Sequence, residues 1–146
     1  MLEVTKRKRQ TVLVVDDEPG TVEVLVSVLT DAGYRVTGAV NGRDALQCLQ
    51  EERCDLMLLD LMMPVLDGAA TLAAMKESKR LAGIAVVMMS GLPEPMVKRR
   101  ARGYDAFLRK PFALDELLET VRAALVLLER RANKSRPSKK PRRRRD

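Results

Sequence analysis

Residues 56–68 read LMLLDLMMPVLDG, and the first five decide the fold: four apolar residues, Leu56–Leu59, run without alternation into a lone carboxylate, Asp60. A strand with one face in water alternates apolar and polar residues, whereas a strand buried on both faces does not. Working outward, the same signature appears at 11–15 (TVLVV) and at 84–89 (IAVVMM). Residues 34–40 (YRVTGAV) and 106–108 (AFL) read as weaker strands that belong nearer the sheet edges.

Helical periodicity fills the intervals. Val22, Leu25, Val26 and Leu29 share one helix face, and Gly33 is the stop signal. Asn41 caps a helix containing Ala45, Leu46 and Leu49, with Asp44 three residues on. Asp67 caps another, with Ala69, Leu72 and Ala73. A shorter helix spans about 95–102, ahead of Gly103. Leu114, Leu117, Leu118, Val121, Leu125 and Leu128 form the longest stripe, with Asp115 and Glu116 near its positive N-terminal end. Five strand–helix units in strict alternation over residues 11–132 predict a parallel sheet covered on both faces. Right-handed crossovers leave few topologies. The expected fold is α/β, a flavodoxin-like doubly wound (βα)5 arrangement with strand order 2-1-3-4-5. Its topological switch point lies between the first and third strands, and ligands bind beyond the carboxyl ends of the strands there.

A chain of 146 residues favours one domain. Apolar residues make up 46% and aromatics only 3%, so Leu, Val, Met and Ala must fill the core. No apolar run approaches a membrane span, and MLEVTKRKRQ at the start lacks the apolar stretch of a signal peptide; the cytoplasm is the expected location. With no histidine and two cysteines, Cys48 and Cys54, a zinc site and histidine-based catalysis are not expected. Both cysteines read as small packing residues in a reducing compartment. The net charge of +7 suggests nucleic acid until its distribution is read: residues 134–146 (KSRPSKKPRRRRD) hold eight basic residues and one acidic, which accounts for all of it. The expected organisation is a basic extension at 1–10, a folded domain at 11–132, and a disordered basic tail at 133–146.

The chemistry follows from what ends each strand. The first strand ends in Asp16-Asp17, the third in Asp60 and the fourth in Ser90, while Lys110-Pro111 follows the fifth. In the expected topology these groups meet on one sheet edge. Three clustered carboxylates raise one another's pKa unless a cation intervenes. A hard divalent ion resolves this, and Mg²⁺ fits best because it needs only one or two carboxylates plus waters and phosphate oxygens; Mn²⁺ is the alternative. Lys110 adds positive charge for a phosphoryl oxygen and Ser90 a hydroxyl donor. Asp60 is the best nucleophile candidate, since aspartyl phosphates are known covalent intermediates. Taken singly, Lys110 is an ordinary surface lysine and Ser90 a turn residue; the combination carries the reading.

VVDDEP at 14–19, LLDLMMPVLDG at 58–68, VVMMSG at 86–91 and FLRKPF at 107–112 resemble, in order and spacing, the four motif blocks of bacterial response-regulator receiver domains. The resemblance covers about residues 10–130. It implies that Asp60 is the phosphoacceptor, that Asp16 and Asp17 are the acidic metal-binding pair, and that the backbone carbonyl of Met62 is a further Mg²⁺ ligand. It implies that Ser90 contacts the phosphoryl group, that Lys110 is the family's lysine, that Pro111 follows a cis bond, and that Phe107 is the aromatic switch residue coupled to Ser90. The implied donor is the phosphohistidine of a sensor histidine kinase or a small acyl phosphate. The protein is then not an enzyme beyond catalysing its own phosphorylation and dephosphorylation. A downstream protein target is expected on the fourth helix–fifth strand–fifth helix face.

The chain also departs from the family's habits. Gly91 follows Ser90 where alanine is common, and Pro93 and Pro95 are expected to delay the fourth helix, which carries Lys98, Arg99, Arg100 and Arg102. Apolar Met62 and Leu92, at positions that govern water access in this family, predict slow self-dephosphorylation. With 14 residues after Ala132, the reading is a stand-alone receiver or one cut from something larger. The tail suits non-specific polyanion contact and lacks aromatics for base stacking. Dimerisation through Leu125–Leu128 is a further option. A phosphorylation-independent adaptor is the alternative function. A phosphatase with an aspartyl nucleophile is disfavoured, because such enzymes generally place a second acid where this chain has Met62.

Overall fold

The computed structural model describes residues 9–135. Five strands, β1 (Thr11–Val15), β2 (Arg35–Ala39), β3 (Leu56–Asp60), β4 (Ala85–Ser90) and β5 (Ala106–Arg109), alternate with five helices. The helices are α1 (Pro19–Asp31), α2 (Gly42–Glu51), α3 (Gly68–Glu77), α4 (Glu94–Arg100) and α5 (Leu114–Ser135). All pairings are parallel and the order is β2-β1-β3-β4-β5, as expected for the flavodoxin-like class.

The unbroken apolar runs are explained by two cores. Side chains alternate across a strand, so Leu13, Val15, Met57, Leu59, Val86 and Met88 face one side. There they meet Ala45 and Leu49 of α2, Leu72 and Met75 of α3, and Val97 of α4. Val12, Val14, Leu56, Leu58, Val87 and Met89 face the other, against Leu25 and Leu29 of α1 and Leu117, Val121 and Leu125 of α5. Every residue of β3 and β4 is buried.

The caps read from sequence are made. Asn41 accepts from the Asp44 amide and Asp67 from the Ala70 amide, both at 2.8 Å. The fourth helix differs from expectation. It starts at Glu94, one residue before the expected start, and stops at Arg100, so Arg102 lies beyond its end. Pro95 falls in the first turn, where its missing N–H costs nothing. Ala101 is buried in an extended conformation and Gly103 takes φ +92°, which ends the helix before Arg102. In α5, Leu114 is 48% exposed and stands outside the buried stripe. The helix continues to Ser135, into the stretch read as tail. Residues 1–8 and 136–146, which hold the rest of the basic extension and tail, lie outside the described residues.

Candidate functional site

The register of the central strands builds the site. Val15 pairs with Leu59, and Asp60 pairs with Met89, so the residues just past β1, β3 and β4 meet at one carboxyl edge. Asp16 is fully buried, Asp60 nearly so, and Asp17 is exposed. Carboxylate oxygens of the three lie within 4.8 Å of one another. Ser90, buried, ends the strand beside Asp60, and its Oγ accepts from the Leu92 amide at 3.1 Å.

Lys110 reaches the same point from β5. Its amide donates to the Ser90 carbonyl at 2.8 Å, and the Lys110-Pro111 peptide is cis. Its Nζ lies 2.6 Å from Asp16 Oδ2 and 3.4 Å from Asp60 Oδ1. Burial pulls the lysine pKa down, but the two carboxylates outweigh it and hold the ammonium above its ordinary value. Burial pushes Asp60 up from 3.8 to about 6; Lys110 opposes this, and Asp16 and Asp17 add to it. One lysine, paired with Asp16 and Asp60, thus stands against a cluster of three carboxylates. That excess of hard oxygen donors fits a divalent cation with oxygen ligands. Among the described residues the Met62 carbonyl accepts no hydrogen bond, so it is uncommitted.

The loop after β3 is shaped tightly. Val65 takes φ +69°, a conformation that costs a β-branched residue about 1–2 kcal/mol. The Gly68 amide donates to the Leu61 carbonyl at 2.8 Å, which seats the start of α3 directly on the chain beside Asp60. Phe107 is half-buried on β5, its ring centroid 6.5 Å from that of Tyr104. The Tyr104 hydroxyl donates to Glu94 Oε1 at 3.4 Å, linking the segment before β5 to α4.

The structure therefore brings Asp16, Asp17, Asp60, Ser90 and Lys110 to one edge, with Met62 on the adjoining loop and Phe107 one strand away. Two features escaped the sequence. Lys110 sits closer to Asp16 than to Asp60, and Arg100 Nη1 on α4 donates to the Met62 sulfur at 3.4 Å. Both depend on side-chain reach between distant segments, for which local sequence holds no signal.

A doubly wound sheet with buried carboxylates and a lysine at its switch point defines an α/β domain suited to a phosphoryl anion. The model of the response regulator receiver domain matches residues 12–122, and the chain belongs to that family. It is a signal-transduction domain of the two-component phosphorelay type. Members are signalling domains that work with sensor histidine kinases, and Mg²⁺ binding is a family trait. The chain is 37% identical over 119 residues to the response regulator Rre1 of Synechocystis, covering 80% of this chain and 52% of that protein. It is 36% identical over 114 residues to the transcriptional regulatory protein PrrA of Mycobacterium tuberculosis, covering 78% and 49%. The chain thus spans about half the length of the curated relatives it matches. Among solved structures, the chemotaxis response regulator CheY4 of Vibrio cholerae aligns with TM-score 0.75 at 30% identity, over 80% of this chain and 98% of that one. TrrA of Thermotoga maritima, in complex with Mg²⁺-BeF, aligns with TM-score 0.71 at 29% identity, over 79% and 98%. No helix among the described residues is long and apolar enough to cross a membrane.

Proposed function

We propose that Asp60 is the phosphoacceptor, taking a phosphoryl group from the phosphohistidine of a sensor histidine kinase or from a small acyl phosphate. The observation that carries this reading is the grouping of Asp60, Asp16 and Asp17, with the Lys110 ammonium against Asp16 and Asp60. An Asp60 oxygen attacks phosphorus while the bond to the donor's nitrogen or acyl oxygen breaks and the donor leaves with its electron pair. Asp16, Asp17, Asp60 and the Met62 carbonyl would hold Mg²⁺, with Mn²⁺ an acceptable substitute. When bound, the ion supplies charge neutralisation for the carboxylates and the phosphoryl oxygens. Lys110, already beside Asp60, turns to a phosphoryl oxygen. The Ser90 hydroxyl, which among the described residues only accepts, is placed to donate its proton to another. Movement of Ser90 is felt at Phe107, and through Tyr104 and Glu94 at α4, so the α4–β5–α5 face is the output surface. In this reading the domain catalyses only its own phosphorylation and dephosphorylation.

Incubation with Mg²⁺ and acetyl phosphate should add one phosphoryl unit to the intact mass, and Asp60→Ala should abolish the gain. No gain in the wild-type chain, or an equal gain in the variant, would sink the reading and leave the adaptor role standing. A second expectation concerns lifetime. Met62 and Leu92 offer no group to orient an attacking water, so Met62→Asn should shorten the phospho-form's half-life several-fold, read as decay of the added mass after acetyl phosphate is removed. An unchanged or longer half-life argues against that role for Met62.

A further inference from the structure

Three large apolar side chains stand in solvent along one flank of α4. Met62 and Val65, in the loop after β3, are 58% and 72% exposed, and Met96 on α4 is 42% exposed. Val65 holds a left-handed backbone, φ +69°, which a β-branched residue adopts only under strain, and its exposed side chain gains no packing in return. Glycine takes that backbone freely, so the valine side chain points to a contact outside the domain. Met96, Arg99 and Arg100 stand at i, i+3 and i+4 and share one face of α4. Arg100 Nη1 reaches the Met62 sulfur at 3.4 Å, which joins helix and loop into one surface. A thioether is a weak acceptor, and it is the only partner of the Arg100 side chain among the described residues. Arg99, exposed, makes no ion pair among them. The one acid on the helix, Glu94, lies on the other flank, where it meets Lys98 at 3.7 Å and the Tyr104 hydroxyl.

We propose that the flank formed by Met62, Val65, Met96, Arg99 and Arg100 docks an acidic segment of a partner protein. Carboxylates of that segment sit on the two guanidiniums, and its apolar side chains cover the methionines and Val65. Arginine's planar fork takes a carboxylate with two parallel hydrogen bonds. Methionine adapts to irregular apolar partners, and Met and Arg are the residues enriched where protein meets protein. A nucleic-acid backbone would answer the arginines and leave three apolar side chains without a partner, so the mixture favours a protein. Docking here needs neither the α4–β5–α5 face nor a phosphoryl group on Asp60.

The test is selection of peptides from a random display library on the full chain at about 150 mM salt, where charges more than about 8 Å apart are largely screened. Enriched peptides should carry Asp or Glu beside Leu, Met or Phe. The affinity of the most enriched peptide, measured by fluorescence anisotropy, should fall about tenfold in Arg100→Gln and in Met96→Ser, and stay at the wild-type value in Arg130→Gln on α5. Residues 1–8 and 136–146 are common to all these chains, so any pull of their charge on an acidic peptide cancels. Val65→Gly should weaken binding while leaving the melting temperature at or above that of the wild type, which a merely structural role for the valine would not do. Peptides without carboxylates, or affinities unchanged in Arg100→Gln and Met96→Ser, would overturn the proposal. Binding of a labelled DNA duplex that Arg100→Gln abolishes and Met96→Ser leaves intact would overturn it in favour of nucleic acid. A dimer in sedimentation that Met96→Ser dissolves would overturn it in favour of a second copy of the chain.

Discussion

Asp60→Asn should stabilise the metal-free domain at neutral pH, by up to roughly 3 kcal/mol. The carboxyl is held at about 6 in the folded state against 3.8 for an unperturbed group, chiefly by burial. Each pKa unit corresponds to about 1.4 kcal/mol. The folded chain therefore binds this proton more tightly than the unfolded chain does. The resulting stability is fully present below about pH 4 and is lost as pH rises through about 6. Asparagine keeps the shape without the charge, so its advantage over the wild type should be small near pH 4.5 and reach its full size above pH 7. Urea denaturation of both proteins in EDTA at the two pH values measures this. An equal gap at both, or a less stable variant at pH 7.5, would contradict the picture of a desolvated, crowded carboxylate. Excess Mg²⁺ should narrow or reverse the gap, because an ion that binds only the folded state stabilises it.

Gly68→Ala should be severe, costing about 3 kcal/mol or more and slowing phosphorylation. A Cβ there would overlap the Asp60 carbonyl oxygen and stand 2.8 Å from Leu61 Cα. These are backbone atoms that cannot rotate away, and overpacking of this kind costs 1–3 kcal/mol or more. Relief requires α3 to move off the end of β3, which would displace the chain carrying Asp60. Gly42 is the neighbouring case: a Cβ there would meet the Thr71 hydroxyl and come within 2.7 Å of the Leu66 carbonyl oxygen. Thermal unfolding gives the stability loss for Gly68→Ala, and the rate of mass gain with acetyl phosphate gives the effect on the site. A variant with wild-type melting temperature and rate would show that α3 is not seated against the Asp60 backbone.

The fold was largely legible because two-sided burial leaves a plain mark. VLVV, LMLL and IAVVMM have no polar residue to expose, so each reads as an interior strand, and the helical stripes between them point to parallel pairing. The boundary of α4 was not legible. The helix was expected to run to about Arg102, yet it stops at Arg100, where Ala101 is buried in an extended conformation.

By itself, the sequence determined which residues end each strand, and hence that Asp16, Asp17, Asp60, Ser90 and Lys110 would share an edge. A parallel sheet puts all its carboxyl ends on one side, whatever the side chains do. Only the tertiary structure decided that Lys110 lies nearer Asp16 than Asp60, that Arg100 reaches Met62, and that Gln10 reaches Glu129 of α5. Those depend on distances between segments up to about a hundred residues apart, and such distances exist only once the chain has packed.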